Sequence, residues 1–129
     1  MVTPGRVRRL ALSLPGTEEH RHRGRASFQV RGRTFATLAT RQGCALLQLS
    51  RDELDVLARA HPRVFAAARR RQRGLTVVEL KLVDAWLFEE LLVAAWRRVA
   101  PRRSAARWDA ERTAAALPPN GRGPGLQRA

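Results

Sequence analysis

The sequence predicts a single α+β domain in the order helix, three strands, helix, two strands, helix. Three observations carry this. Helical spacing of apolar residues recurs at the start, middle and end of the first hundred residues, and period-two alternation fills the stretches between. At 129 residues and 44% apolar content, the chain can bury one hydrophobic core and is too short for two.

Thr3 is placed to cap the first helix and Pro4 to occupy its first turn, with Val7, Leu10, Ala11 and Leu14 along one face and Pro15-Gly16 as the stop. After a polar stretch, Ala26, Phe28 and Val30 alternate with Ser27, Gln29 and Arg31, the pattern of a half-buried strand. Arg31-Gly32-Arg33 reads as a tight turn. Thr34 to Thr40 and Cys44 to Leu49, joined by a turn at Arg41-Gln42-Gly43, complete a three-strand meander. Ser50 followed by Glu53 is a capping box for a second helix, striped by Leu54, Leu57 and Ala58 and stopped by Pro62.

The segment Arg63 to Arg73 is ambiguous: VFAAA fits strand or helix, and RRRQRG reads as an exposed basic loop. Leu75 to Leu82 is a strand with Val78, Leu80 and Leu82 on one face and Glu79 and Lys81 on the other. Asp84 caps the last helix, whose stripe is Phe88, Leu91, Leu92, Ala95 and Val99, flanked by Trp86 and Trp96 and ended by Pro101. The expected core is Val7, Leu10, Phe28, Phe35, Leu38, Leu47, Leu57, Val78, Leu80, Phe88 and Leu92. The domain therefore spans residues 1 to 101. Residues 102 to 117 are a basic, Ala-rich extension able to form a short helix around Trp108, and the Pro/Gly-rich residues 118 to 129 are expected to be a disordered tail.

No run of about 18 apolar residues exists, so no membrane span is expected. Arg6, Arg8 and Arg9 interrupt any signal-peptide centre. A single cysteine, Cys44, excludes an internal disulfide and a Cys-rich zinc site, and with the preceding point makes the cytoplasm the expected location.

Charge is the strongest compositional feature: 25 Lys+Arg against 11 Asp+Glu, a net +14. All of the cations but Lys81 are arginine. The excess is segmental. No acid lies between Glu19 and Asp52, where Arg21, Arg23, Arg25, Arg31, Arg33, Arg41 and Arg51 sit, and none lies from Val56 to Val78, which holds Arg59, Arg63, Arg69, Arg70, Arg71 and Arg73. Such stretches attract polyanions.

LPGTEE at Leu14 to Glu19, HRGRASFQVRGRTFATL at His22 to Leu38, and VVEL followed by VDAWLFEELLVAAWRRVAP, ending at Pro101, together resemble the MmcQ/YjbR family over the first hundred residues. The resemblance implies a two-layer α+β fold, one antiparallel sheet covered on one side by helices, similar to secretion chaperones and frataxin-like proteins. Members are commonly labelled DNA-binding, on the idea that two hairpins act as wings. Carried over to this chain, the wings are Arg31 and Arg33 at the first hairpin tip, Arg41 at the second, and Arg69, Arg70, Arg71 and Arg73 before the last strand. The chain departs from the family at Leu75, where a tryptophan is usual, so no base-stacking ring is available there.

Other constellations are weaker. His20 and His22 would share one face of a strand, but a third metal ligand among Glu18, His61 and Cys44 has no motif spacing. Cys44 among apolar neighbours is an inert buried thiol rather than a nucleophile, and Glu18-Glu19 is a solvated pair. The glycines of Gly121 to Gly125 neither follow a strand nor precede a helix. The expectation is a weakly specific nucleic-acid-binding module, with DNA or another polyanion as partner, no membrane, no cofactor and no catalysis. The alternative is a module that binds an acidic protein. Monomer and weak homodimer both stay open.

Overall fold

The computed structural model describes residues 1–63, 67–68 and 70–115. Six strands, β1 (Thr17–His22), β2 (Arg25–Val30), β3 (Arg33–Ala39), β4 (Cys44–Leu47), β5 (Arg70–Gln72) and β6 (Leu75–Glu79), form one antiparallel sheet in the order β1-β2-β3-β4-β6-β5. Four α-helices are placed among the described residues: α1 (Pro4–Ser13), α2 (Arg51–Ala60), α3 (Ala85–Val99) and α4 (Arg102–Ala115). The fold is thus α+β, as expected, with one more strand among the described residues than the sequence pattern indicated.

Pleating decides which residues meet the helices. Ala26, Phe28 and Val30 of β2, Ala36 and Leu38 of β3, Ala45 and Leu47 of β4 and Val78 of β6 share a face and pack against Val7 and Ala11 of α1, Leu54 and Ala58 of α2 and the apolar stripe of α3. A register shift between Phe28 and Gln29 sets Phe35 into the same core as an extra residue of β3. Of the eleven expected core residues nine are buried; Leu10 and Leu57 are half-buried at the margin. On the opposite face Ala39, Cys44, Leu46 and Val77 form a smaller buried cluster, with Leu75 against it.

Two of the three expected capping side chains do cap. The Thr3 hydroxyl accepts from the Arg6 N–H, and Ser50 and Glu53 close both hydrogen bonds of the capping box. Asp84 occupies the N-cap of α3, but its carboxylate pairs with Arg63 at 2.7 Å instead of capping. Two of the motifs that carry the family resemblance meet in space, because the Trp96 indole N–H donates to the Pro15 carbonyl at 3.1 Å.

Several expectations are corrected. The polar stretch after α1 is strand β1, whose side chains are largely exposed and so lack the alternation a strand usually advertises. Residues 70–74, expected to belong to an exposed basic loop, are instead the short strand β5 plus a tight turn. The strand beginning at Leu75 ends at Glu79, leaving Leu82 59% exposed. Trp96 is buried while Trp86 is 52% exposed. In keeping with the open expectation of a short helix around Trp108, the extension is α4, which docks through Trp108 edge-on to Trp96, with ion pairs Arg97–Asp109 and Arg112–Glu89. Residues 64–66 of the ambiguous VFAAA segment and the expected tail 118–129 lie outside the described residues.

Candidate nucleic-acid interface

Three hairpins use the same two-residue loop: Arg23-Gly24 between β1 and β2, Arg31-Gly32 between β2 and β3, and Arg73-Gly74 between β5 and β6. In each, both residues have positive φ, with Arg23 and Arg31 at 51° and Arg73 at 52°. This is the signature of type I′ turns, which favour Asn before Gly. A long L side chain held at positive φ costs roughly 1 kcal/mol or more. All three turns nevertheless set a guanidinium at the apex.

Strand direction distributes these apices. In an antiparallel sheet successive tips fall at opposite ends. The Arg23 tip and the 3-10 turn Thr40–Gln42 therefore share one end, called the Arg23 end, and the Arg31 and Arg73 tips share the other, called the Arg31 end. The family resemblance grouped Arg31, Arg33 and Arg41 together; the structure separates Arg41 from the other two by the length of a strand, about 20 Å. At the Arg31 end the two tips are three strand spacings apart, about 14 Å.

The Arg23 end is where cations converge. Arg23, Arg25 and Arg41, with Gly24 and Gln42, line a hollow of about 280 Å³ that contains no carboxylate. Among the described residues none of these arginines forms an ion pair. Around the β1–β2 tip lies a second hollow, of about 350 Å³, walled by Arg8, Arg21, His22, Arg23 and Arg25 and floored by Ala26 and Leu38. Its one acid is Glu19, whose side chain is only 11% exposed. Burial raises the Glu19 carboxyl, but hydrogen bonds from Arg8 at 2.6 Å and Arg21 at 3.2 Å, with their charges, outweigh it and hold the group below the ordinary carboxylate value.

The remaining candidates are dispersed. Arg71 donates to the carbonyls of Leu49 and Gly74 and to the Thr76 hydroxyl, so its guanidinium braces the β5–β6 hairpin and satisfies a buried threonine. The backbone of Arg70 pairs with Val77 in β5, and Arg69 lies outside the described residues. His20 and His22 do share a face of β1. His20 sits 3.4 Å from Glu18, and among the described residues no three metal-ligating side chains gather. Cys44 is buried on β4. No described helix is long and apolar enough to cross a membrane.

Sequence reasoning missed Arg8, Arg21, Arg23 and Arg25. One signal was available: Arg23-Gly24-Arg25 repeats the Arg31-Gly32-Arg33 tripeptide that did mark a turn.

Residues 12–98 match the YjbR family. The chain belongs to this family. The matched span starts within α1 and closes at the end of α3, so it takes in the whole sheet, the arginine turns and the Trp96–Pro15 contact while leaving out α4. No curated protein matches the chain.

Proposed function

We propose that this YjbR-family protein is a nucleic-acid-binding module that grips phosphates at the Arg23 end of its sheet, with little base-sequence preference and without catalysis. The observation that carries this reading is the acid-free hollow in which Arg23, Arg25 and Arg41, brought from two different turns, line one concavity. Guanidiniums on projecting turns present forked donors suited to phosphate oxygens. Phosphate contacts of this kind position a duplex without reading its bases.

The test is a titration of the full chain with duplex DNA of two unrelated sequences at several salt concentrations. Affinities within about twofold of each other and a slope of log K against log salt near about −3 are expected, since each phosphate contact contributes about −0.9. Absence of measurable binding at near-physiological salt overturns the reading and turns attention to an acidic protein as the partner.

A further inference from the structure

We propose that the larger hollow at the Arg23 end, between α1 and the β1–β2 hairpin, is a binding site for a terminal phosphate monoester. The inference deepens the nucleic-acid reading and rests on it for the rest of the ligand.

Three features point to a monoester and not to a phosphodiester within a chain. The first is shape. The hollow of about 350 Å³ is walled by Arg8 from α1 and by Arg21, Arg23 and Arg25 from the hairpin, over an apolar floor of Ala26 and Leu38. A phosphodiester is flanked by sugars on both sides and meets a surface along a ridge or groove, whereas a concavity of this size admits a chain end or a mononucleotide.

The second is charge. Four guanidiniums against the single carboxylate of Glu19 leave an excess of three positive charges, with His22 counted neutral. An internal phosphodiester brings one negative charge; a phosphate monoester brings about −1.5 to −2 at pH 7 and three acceptor oxygens.

The third is orientation. Glu19 accepts from Nε of Arg8 and from Nε of Arg21, so it engages one edge of each guanidinium. The terminal nitrogens of both make no other hydrogen bond among the described residues. One largely covered carboxylate thus anchors one edge of each guanidinium while leaving the terminal donors unengaged. This is the arrangement that lowers the entropic cost of gripping an anion.

A free nucleotide and a nucleic-acid terminus present the same chemistry, and the experiment separates them. Binding of the full chain is measured, by fluorescence anisotropy with a 3′ label, to a single-stranded 12-mer carrying a 5′-phosphate and to its 5′-hydroxyl twin. A nucleoside 5′-monophosphate and inorganic phosphate serve as competitors. The phosphorylated strand is expected to bind about fivefold more tightly, as one extra charge-assisted contact cluster at a half-exposed site would give. The R8Q/R21Q variant is expected to abolish that ratio while leaving affinity for the hydroxyl twin within about twofold, because Arg23, Arg25 and Arg41 are untouched. Both side chains are at least half exposed and a glutamine amide can still donate to the Glu19 carboxylate, so the variant is expected to fold, which a thermal melt checks alongside binding.

Displacement of the phosphorylated strand by millimolar nucleoside 5′-monophosphate identifies the monoester itself as sufficient. Failure of that competitor, with the fivefold ratio intact, places the site at a strand terminus and still supports it. Equal binding of the two strands, or a ratio that survives R8Q/R21Q, overturns the proposal even where DNA binding as such is confirmed. If neither strand binds, yet the mononucleotide binds in a manner lost in R8Q/R21Q, the pocket stands and the nucleic-acid reading fails.

Discussion

The two ends of the sheet carry similar arginine turns and differ in what surrounds them. At the Arg31 end, Arg31 and Arg33 occupy one tip and Arg73 another, apart from each other and with no pocket joining them among the hollows described. At the Arg23 end the apex arginine is joined by Arg25 from its own hairpin and Arg41 from the neighbouring turn, with Arg8 and Arg21 held alongside by Glu19. An identical local motif thus gives isolated cations at one end and a convergent set at the other. Convergence depends on neighbours, which the turn itself does not choose.

The largest expected effect tests that contrast directly. Replacing Arg23, Arg25 and Arg41 by Ala is expected to weaken duplex DNA binding about tenfold or more at moderate salt and to make the salt slope shallower by about three units. The matching triple at Arg31, Arg33 and Arg73 should weaken binding only about twofold and leave the slope within about half a unit, because its tips do not converge on one contact. Equal losses measured side by side would erase the difference between the ends. As a control for general polycation attraction, Arg102, Arg103 and Arg107 of α4 changed to Ala should alter affinity by about twofold at most.

Stability sharpens the comparison from another side. Each of R23N, R31N and R73N replaces a strained apex by the residue that type I′ turns prefer, and should raise the unfolding free energy by about 0.5–1 kcal/mol in thermal or denaturant melts. Only R23N should lower DNA affinity appreciably. A stabilised R31N with strongly reduced affinity would move the interface to the other end.

The smallest effect concerns acid. The folded-state value of the Glu19 carboxyl lies below its unfolded value, so its contribution to stability is fully present above about pH 4.3 and is lost as pH falls through the folded value. The difference in melting temperature between wild type and E19Q should therefore be modest at pH 7, since Arg8 and Arg21 are half or more exposed, and should shrink as acid protonates the Glu19 carboxylate. A difference that grows on acidification would show that Glu19 does not hold the two arginines.

Much of the fold was legible in the residues. The capping box at Ser50 and Glu53, the helical stripes of α1 and α3 and the alternation from Ala26 to Leu38 each follow from local sterics and hydrogen bonding, and nine of the eleven expected core residues are buried. Even the separation of Arg31 from Arg41 was implicit in the meander, since consecutive hairpin tips must lie at opposite ends. Strand β1 was not legible. An edge strand is held by backbone hydrogen bonds on one side only and need not bury alternate side chains, so TEEHRH carries no period-two signal.

The sequence by itself determined the segmental charge, the arginine at each tight turn and the capacity for one core, because these depend on residues within a few positions of one another. Tertiary structure alone decided that Glu19 would meet Arg8, eleven residues away, that Arg71 would brace its own hairpin, and that Arg23, Arg25 and Arg41 would line one hollow. Those pairings depend on strand order and on the docking of α1 beside β1. Both are fixed by burial of the whole core, a sum over many distant contacts that no local pattern encodes.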